Sequence, residues 1–161
     1  MIGGASRADG RSGAEGLFEM ANEQLRSMVD DGLLRRSEYE NMFYPTWNRT
    51  LREFLAPLER GPLAGALTVE EAAEHTTSDG VTYPQYERDG DAAAFASAYV
   101  PFVKAVTAPS FFRWIDSDRT ADERAAIEDA FYDGLQRRIA ADPAKATCHW
   151  HTVNLRIRRA A

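Results

Sequence analysis

From Thr147 to Arg158 the chain alternates in character at almost every step. His149, His151, Val153, Leu155 and Ile157 fall on one side, and Trp150, Thr152, Asn154, Arg156 and Arg158 on the other. Alternation of this length predicts a strand with one buried side, because successive side chains of a strand point to opposite faces. A strand needs neighbours, since its backbone donors and acceptors must be paired. Met1 to Ala5 reads as the tail of a second strand. One good strand and a stub do not make a sheet, so the sequence predicts that the missing strands lie in other polypeptide.

Most of what lies between reads as helix. Leu17, Phe18, Ala21, Leu25, Met28 and Val29 recur at helical spacing, and Gly32 follows where a left-handed C-cap is wanted. Ser37 with Glu40, Thr50 with Glu53, and Thr120 with Glu123 each place a hydroxyl three residues before a carboxylate, so helices should start after them. The second should stop near Pro57, and the third should reach about Ala141 with Ile127, Phe131, Leu135 and Ile139 along one face. Ala92 to Thr107 is helical in pattern, with Phe95, Tyr99, Phe102, Val103 and Val106 as its apolar side. Pro101 should kink or divide it. Residues 64 to 78 are ambiguous: Thr68 with Glu71 suggests a helix start, while Ala64 to Thr68 suits a strand. Thr77 to Asp91 reads as loop, and the five glycines between residues 3 and 16 as a mobile connection.

A chain of 161 residues holds one domain of ordinary size, and 44% hydrophobic residues make it globular. A net charge of −6 speaks against nucleic acid as a partner, because such binders need a basic face. No apolar run approaches a membrane span, no hydrophobic leader opens the sequence, and a single cysteine excludes an internal disulfide. The expectation is a cytoplasmic protein that meets neither membrane nor nucleic acid.

Chemistry-bearing clusters are few. His149 and His151 project to the same side, but a metal site needs further converging ligands, so no metal is expected. Cys148 projects away from His149 and reads as a small buried hydrophobe. Asp30–Asp31 and Glu70–Glu71 lie near helix ends, where a solvated or capping role is ordinary. No nucleophile–base pair and no phosphate-cradling glycine loop can be assembled. Aromatics are the exception. Phe43, Tyr44 and Trp47 surround Pro45 on an irregular link, and large rings there form either core or the wall of an apolar pocket.

The order of these pieces resembles the C-terminal half of the SABATH family of S-adenosylmethionine-dependent carboxyl methyltransferases. Met1-Ile2-Gly3-Gly4 looks like the end of its core strand before a variable loop. Met28-Val29-Asp30-Asp31-Gly32-Leu33-Leu34 resembles the family's MV-x-(E)-GLI helix ending. Phe43-Tyr44-Pro45-Thr46-Trp47 resembles its F-N-x-P-x-Y segment, with Trp47 at the tyrosine. Val103 to Pro109 resembles its R-A-V-x-E-P helix, with Lys104 for the arginine and Ala108 for the glutamate. The last helix and Trp150 to Arg159 look like its final helix and closing strand.

The resemblance implies an α/β fold: the C-terminal part of a Rossmann-like methyltransferase with a mostly helical cap and few strands. Residues 1–13 would be the end of a core strand and a loop, 14–146 the acceptor-binding cap, and 147–161 the closing strand. Leu17, Phe18, Trp47, Val103, Val106 and Trp150 match positions where the family packs its acceptor, a small aromatic or apolar carboxylic acid. The family's S-adenosylmethionine site lies upstream of the likeness, so no catalytic or cofactor-binding residue is expected here. The chain would be a fragment, a split gene product or a mis-started frame, with a second copy or an N-terminal half as its partner. The competing reading is a non-enzymatic helical module that binds an apolar ligand or a partner protein.

Overall fold

The computed structural model describes residues 2–44, 46–61 and 63–160. It is a mixed α/β structure with this order of elements: β1 (Ile2–Gly4), α1 (Glu15–Asp30), α2 (Arg36–Asn41), α3 (Leu51–Glu59), β2 (Leu67–Ser78), α4 (Thr82–Asp89), α5 (Ala92–Phe111), a 3₁₀ turn (Phe112–Trp114), α6 (Ala121–Ala141), α7 (Pro143–Ala146) and β3 (His149–Arg159). Two compact units emerge. A sheet unit takes the chain up to Glu15, Trp47–Asp79 and everything from Cys148; a helical unit takes Gly16–Thr46 and Gly80–Thr147. In this division α3 and β2 belong with the strands.

In the sheet unit β3 is central, antiparallel to both neighbours, in the order β1-β3-β2. The neighbour that β3 requires is thus in the chain: β2 runs beside it from Leu67 opposite Arg159 to Ser78 opposite His149. The ambiguous stretch is strand, and the helix start at Thr68 is not formed. Glu and Ala in its middle favour helix locally, but pairing with a long strand outweighs that small preference. An extra residue, Glu70, bulges between Val69 and Glu71. Its carboxylate reaches Arg158 at 2.8 Å and Arg156 at 3.4 Å.

The alternation of β3 is realised as expected. Val153 and Leu155 are buried with Ala5, and Leu51, Phe54, Leu55 and Leu58 of α3 pack over them. Gly3 admits the Phe54 ring, which would stand 3.0 Å from an added Cβ. The capping box at Thr50 forms: its N–H donates to Glu53 Oε2 at 2.7 Å, and Glu53 N–H returns a bond to Thr50 Oγ1. α3 then continues two residues past Pro57.

The glycine-rich connection is tied to the sheet rather than loose. His149 N–H donates to Gly13 O at 2.8 Å and His151 N–H to Ser12 O at 2.9 Å, so residues 12–13 flank the start of β3. The Glu15 carboxylate accepts from the Ser12 and Gly13 N–H groups.

In the helical unit α1 buries Leu17, Met20, Ala21, Gln24, Leu25 and Met28. It ends at Gly32, whose φ of +74° lets Leu33 N–H return to Met28 O. α2 starts after Arg35, not after Ser37, because Glu38 takes the Arg35 N–H at 2.8 Å. Thr82–Asp89, read as loop, is helix, closed by Gly90 at φ +71°.

α5 runs unbroken through both Pro101 and Pro109. Both prolines are exposed, as are the residues four before them, Ser97 and Ala105, so each orphaned carbonyl reaches water. The buried stripe of α5 steps by four through Phe95, Tyr99, Val103, Thr107 and Phe111, which leaves Phe102 off it and 45% exposed. α6 begins at the expected Thr120 box, and Ile127, Phe131, Leu135 and Ile139 are each 0% exposed. Among the described residues no helix is long and apolar enough to cross a membrane.

Candidate functional site

Rings from three parts of the helical unit meet in one wall. Phe18 of α1 stacks on Tyr44 with centroids 5.1 Å apart, and Phe111 at the end of α5 stands edge-on to Tyr44 at 6.3 Å. Phe43 lies 5.5 Å from Trp114, and the Arg113 guanidinium sits 5.0 Å from that indole. Phe18 and Tyr44 are half-buried and Phe43 is exposed, so the wall has an open side. Pro45, the stiffening proline of this link, lies outside the described residues.

Glu38 of α2 ties that helix to the turn before α6. Its carboxylate, 0% exposed, accepts from Arg35 N–H, from Asp116 N–H at 3.1 Å, and from Arg119 Nε at 3.0 Å and Nη2 at 2.8 Å. Burial pushes its pKa up. The Arg119 bond and the two N–H groups outweigh that and hold it below the ordinary carboxylate value. Four hydrogen bonds to its two oxygens make Glu38 a structural tie between α2 and the turn before α6. Tyr132 is a second buried polar group with a structural explanation. Burial pushes its phenol up to about 12, against the opposing bond with Thr107 Oγ1 at 2.9 Å.

The six residues expected to contact an acceptor are dispersed in character. Leu17 and Val103 are 4% and 2% exposed, so they belong to the core. Phe18 belongs to the ring wall; Val106 is half-buried on α5. Trp47 and Trp150 belong to the sheet unit. Trp47 is 82% exposed, hence not core, and Trp150 is half-buried opposite Thr77. Tyr44, Phe111, Phe43 and Trp114 complete the wall around Phe18. Aromatic density in the sequence pointed to them, but nothing in it paired residues 18, 44 and 111.

The sheet unit holds a different constellation. On the face of β3 that carries Val153, His149 Nδ1 meets Ser78 Oγ at 2.7 Å and His151 Nε2 meets Glu74 Oε1 at 3.3 Å. The two imidazoles share a side as expected, one exposed and the other 8% exposed. His151 Nδ1 is buried without a hydrogen-bond partner among the described residues. Glu74 also edges a hollow of about 550 Å³ that Leu51, Arg52, Leu55 and Glu59 help to line. Cys148 is 1% exposed, in keeping with a small buried hydrophobe. Among the described residues no three metal-ligating side chains converge.

No protein-family model matches the chain, and no curated protein is similar to it in sequence.

Proposed function

We propose that this chain is the acceptor-binding portion of a small-molecule carboxyl methyltransferase. On this reading the S-adenosylmethionine site is supplied by polypeptide outside these 161 residues. The observation that carries the reading is the stack of Phe18 on Tyr44. It joins two stretches that the SABATH resemblance matched separately, the acceptor-packing helix and the aromatic–proline segment. The finer fold reading, the end of a Rossmann-like core bearing a helical cap, draws support from β1 and β3. They are the two pieces likened to a core strand's end and a closing strand, and they pair side by side.

The chemistry suits a wall of rings. A carboxylate is already ionised near neutrality and needs no general base. Methyl transfer from a sulfonium asks that acceptor and donor be held in line in a dry site. Half-buried rings can pack the flat body of an aromatic acid. The exposed guanidinium of Arg113 on Trp114 offers a charge for its carboxylate.

Two measurements test the reading. Salicylate and benzoate should raise the melting temperature of the protein, S-adenosylmethionine alone should not, and Phe18→Ala should abolish the shift. The purified chain should transfer no methyl group from S-adenosylmethionine to either acid. Absence of any shift with the acids overturns the acceptor reading, and methyl transfer by the chain alone overturns the division of labour.

Trp47, at 82% exposed, favours a second reading, a non-enzymatic module whose open indole docks on a partner protein. That reading predicts a concentration-dependent association that Trp47→Ser removes, seen by sedimentation.

A further inference from the structure

We propose that the hollow between α4 and α5 binds a small organic ammonium ion. It measures about 230 Å³, and Tyr86, Phe95, Gln85, Asp89 and Asp91 help to line it. That volume is too small for a drug-sized molecule and ample for a trimethylammonium or alkylammonium head. None of these lining residues belongs to the proposed acceptor wall.

Four features of the hollow favour a cation. First, its walls carry π-systems: Tyr86 and Phe95 lie 5.8 Å apart at 42°, and Tyr83 packs within 6 Å of both. Phe95, 3% exposed, is held rigid in the core, so its ring is a fixed floor. A cation over such rings is attracted by their quadrupoles. Second, two carboxylates edge the hollow, and each is held by one oxygen. Asp91 Oδ1 accepts the Ala94 N–H at 2.8 Å and Asp89 Oδ1 accepts the Asp91 N–H at 2.9 Å.

Third, Asp89 is the last residue of α4, where the negative end of the helix dipole disfavours a carboxylate unless a positive charge offsets it. Fourth, neither lysine nor arginine lines the hollow. The local sequence holds Asp79, Glu87, Asp89 and Asp91 against Arg88 alone, so the field there is negative.

A quaternary ammonium gains from these together. It meets aromatic faces without losing hydrogen bonds it never made, and its diffuse charge is balanced by carboxylates at the rim. A neutral molecule of the same shape would gain only the apolar contact.

The test is a titration of the whole protein with choline, followed by calorimetry or by the tyrosine and phenylalanine NMR signals. The control is 3,3-dimethyl-1-butanol, which replaces the nitrogen by carbon at equal size. Choline should saturate the site, and the alcohol should bind about tenfold more weakly or worse. Tyr86→Leu should weaken choline by about fivefold, with little effect on the alcohol. Asp91→Ser, which keeps an N-capping hydroxyl for α5, should weaken choline similarly and reduce its salt dependence. Salicylate should not compete.

Equal binding of choline and the alcohol would reduce the hollow to an apolar dent and overturn the proposal. So would the absence of saturable choline binding, or an unchanged affinity in Tyr86→Leu. Because the choline–alcohol comparison uses the unaltered protein, it decides the matter even where a variant fails to fold.

Discussion

At the scale of single residues, two kinds of site carry the fold: a buried charge with all its partners, and a glycine with no room for a side chain. Glu38→Gln would leave the Arg119 guanidinium, whose side chain is 11% exposed, facing a neutral amide. Loss of one partner of a buried pair costs about 3 kcal/mol, so urea unfolding of this variant should show a large drop in midpoint. The glycines offer a matched comparison. Gly10 and Gly13 both have positive φ, +84° and +87°. A Cβ at Gly10 meets open space, whereas one at Gly13 would overlap His149 O. Gly10→Ala should cost about 1 kcal/mol, and Gly13→Ala about 3 kcal/mol or more, with the hydrogen bonds to His149 and His151 lost.

Some of this was legible and some was not. The Thr50 and Thr120 boxes depend on residues three apart, and both formed where the sequence put them. The Ser37–Glu40 pair offers the same local pattern, yet Glu38 won, because its carboxylate also satisfies Asp116 and Arg119 from far along the chain. Local spacing carries no trace of partners about eighty residues away.

At the scale of elements, the clear periodicities held and the mixed ones misled. α1, α6 and β3 have one dominant repeat each, and each is present. β2 has helix formers in its centre and a hydroxyl–carboxylate pair at its start, so its strand character comes from β3 and not from itself. One of the three strands was therefore ambiguous in its own residues. The ring wall was half legible for the same reason: aromatic richness is a property of composition, but which rings meet is a property of packing.

α5 offers a test of how helices bear proline. Since Pro101 is tolerated only because its orphaned carbonyl faces water, it still removes one helical hydrogen bond. Pro101→Ala should raise stability by about 1–3 kcal/mol, measured by the shift in melting temperature, without altering binding at either candidate site.

At the scale of the whole molecule, acid should be the solvent condition that matters most. Burial pushes Glu15 and Glu38 up, yet N–H donors and, for Glu38, Arg119 hold both below the ordinary carboxylate value. Glu53 and Glu123 are lowered by the threonine N–H groups of their caps, and Asp118 by Arg35. All five shifts have the same sign. A carboxylate with a depressed folded pKa contributes stability that is present above its unfolded pKa and lost as pH falls through the folded one. Stability should therefore stay level from about pH 5 to about pH 8 and decline progressively below about pH 4.5. The denaturation midpoint near neutrality and at about pH 3 checks this, and Glu38→Gln should show a smaller difference between the two.

The placement of β3 has a consequence for how the molecule is made. The strand at the middle of the sheet is translated last of the three, roughly 70 residues after Ser78 closes β2. At about 5–20 residues per second, β2 waits several seconds on the ribosome with neither edge matched to a partner. Its run of Glu70, Glu71 and Glu74 keeps it charged through that interval. Those acids, which pair with Arg156, Arg158 and His151 once the sheet is complete, would until then guard the nascent strand against premature aggregation.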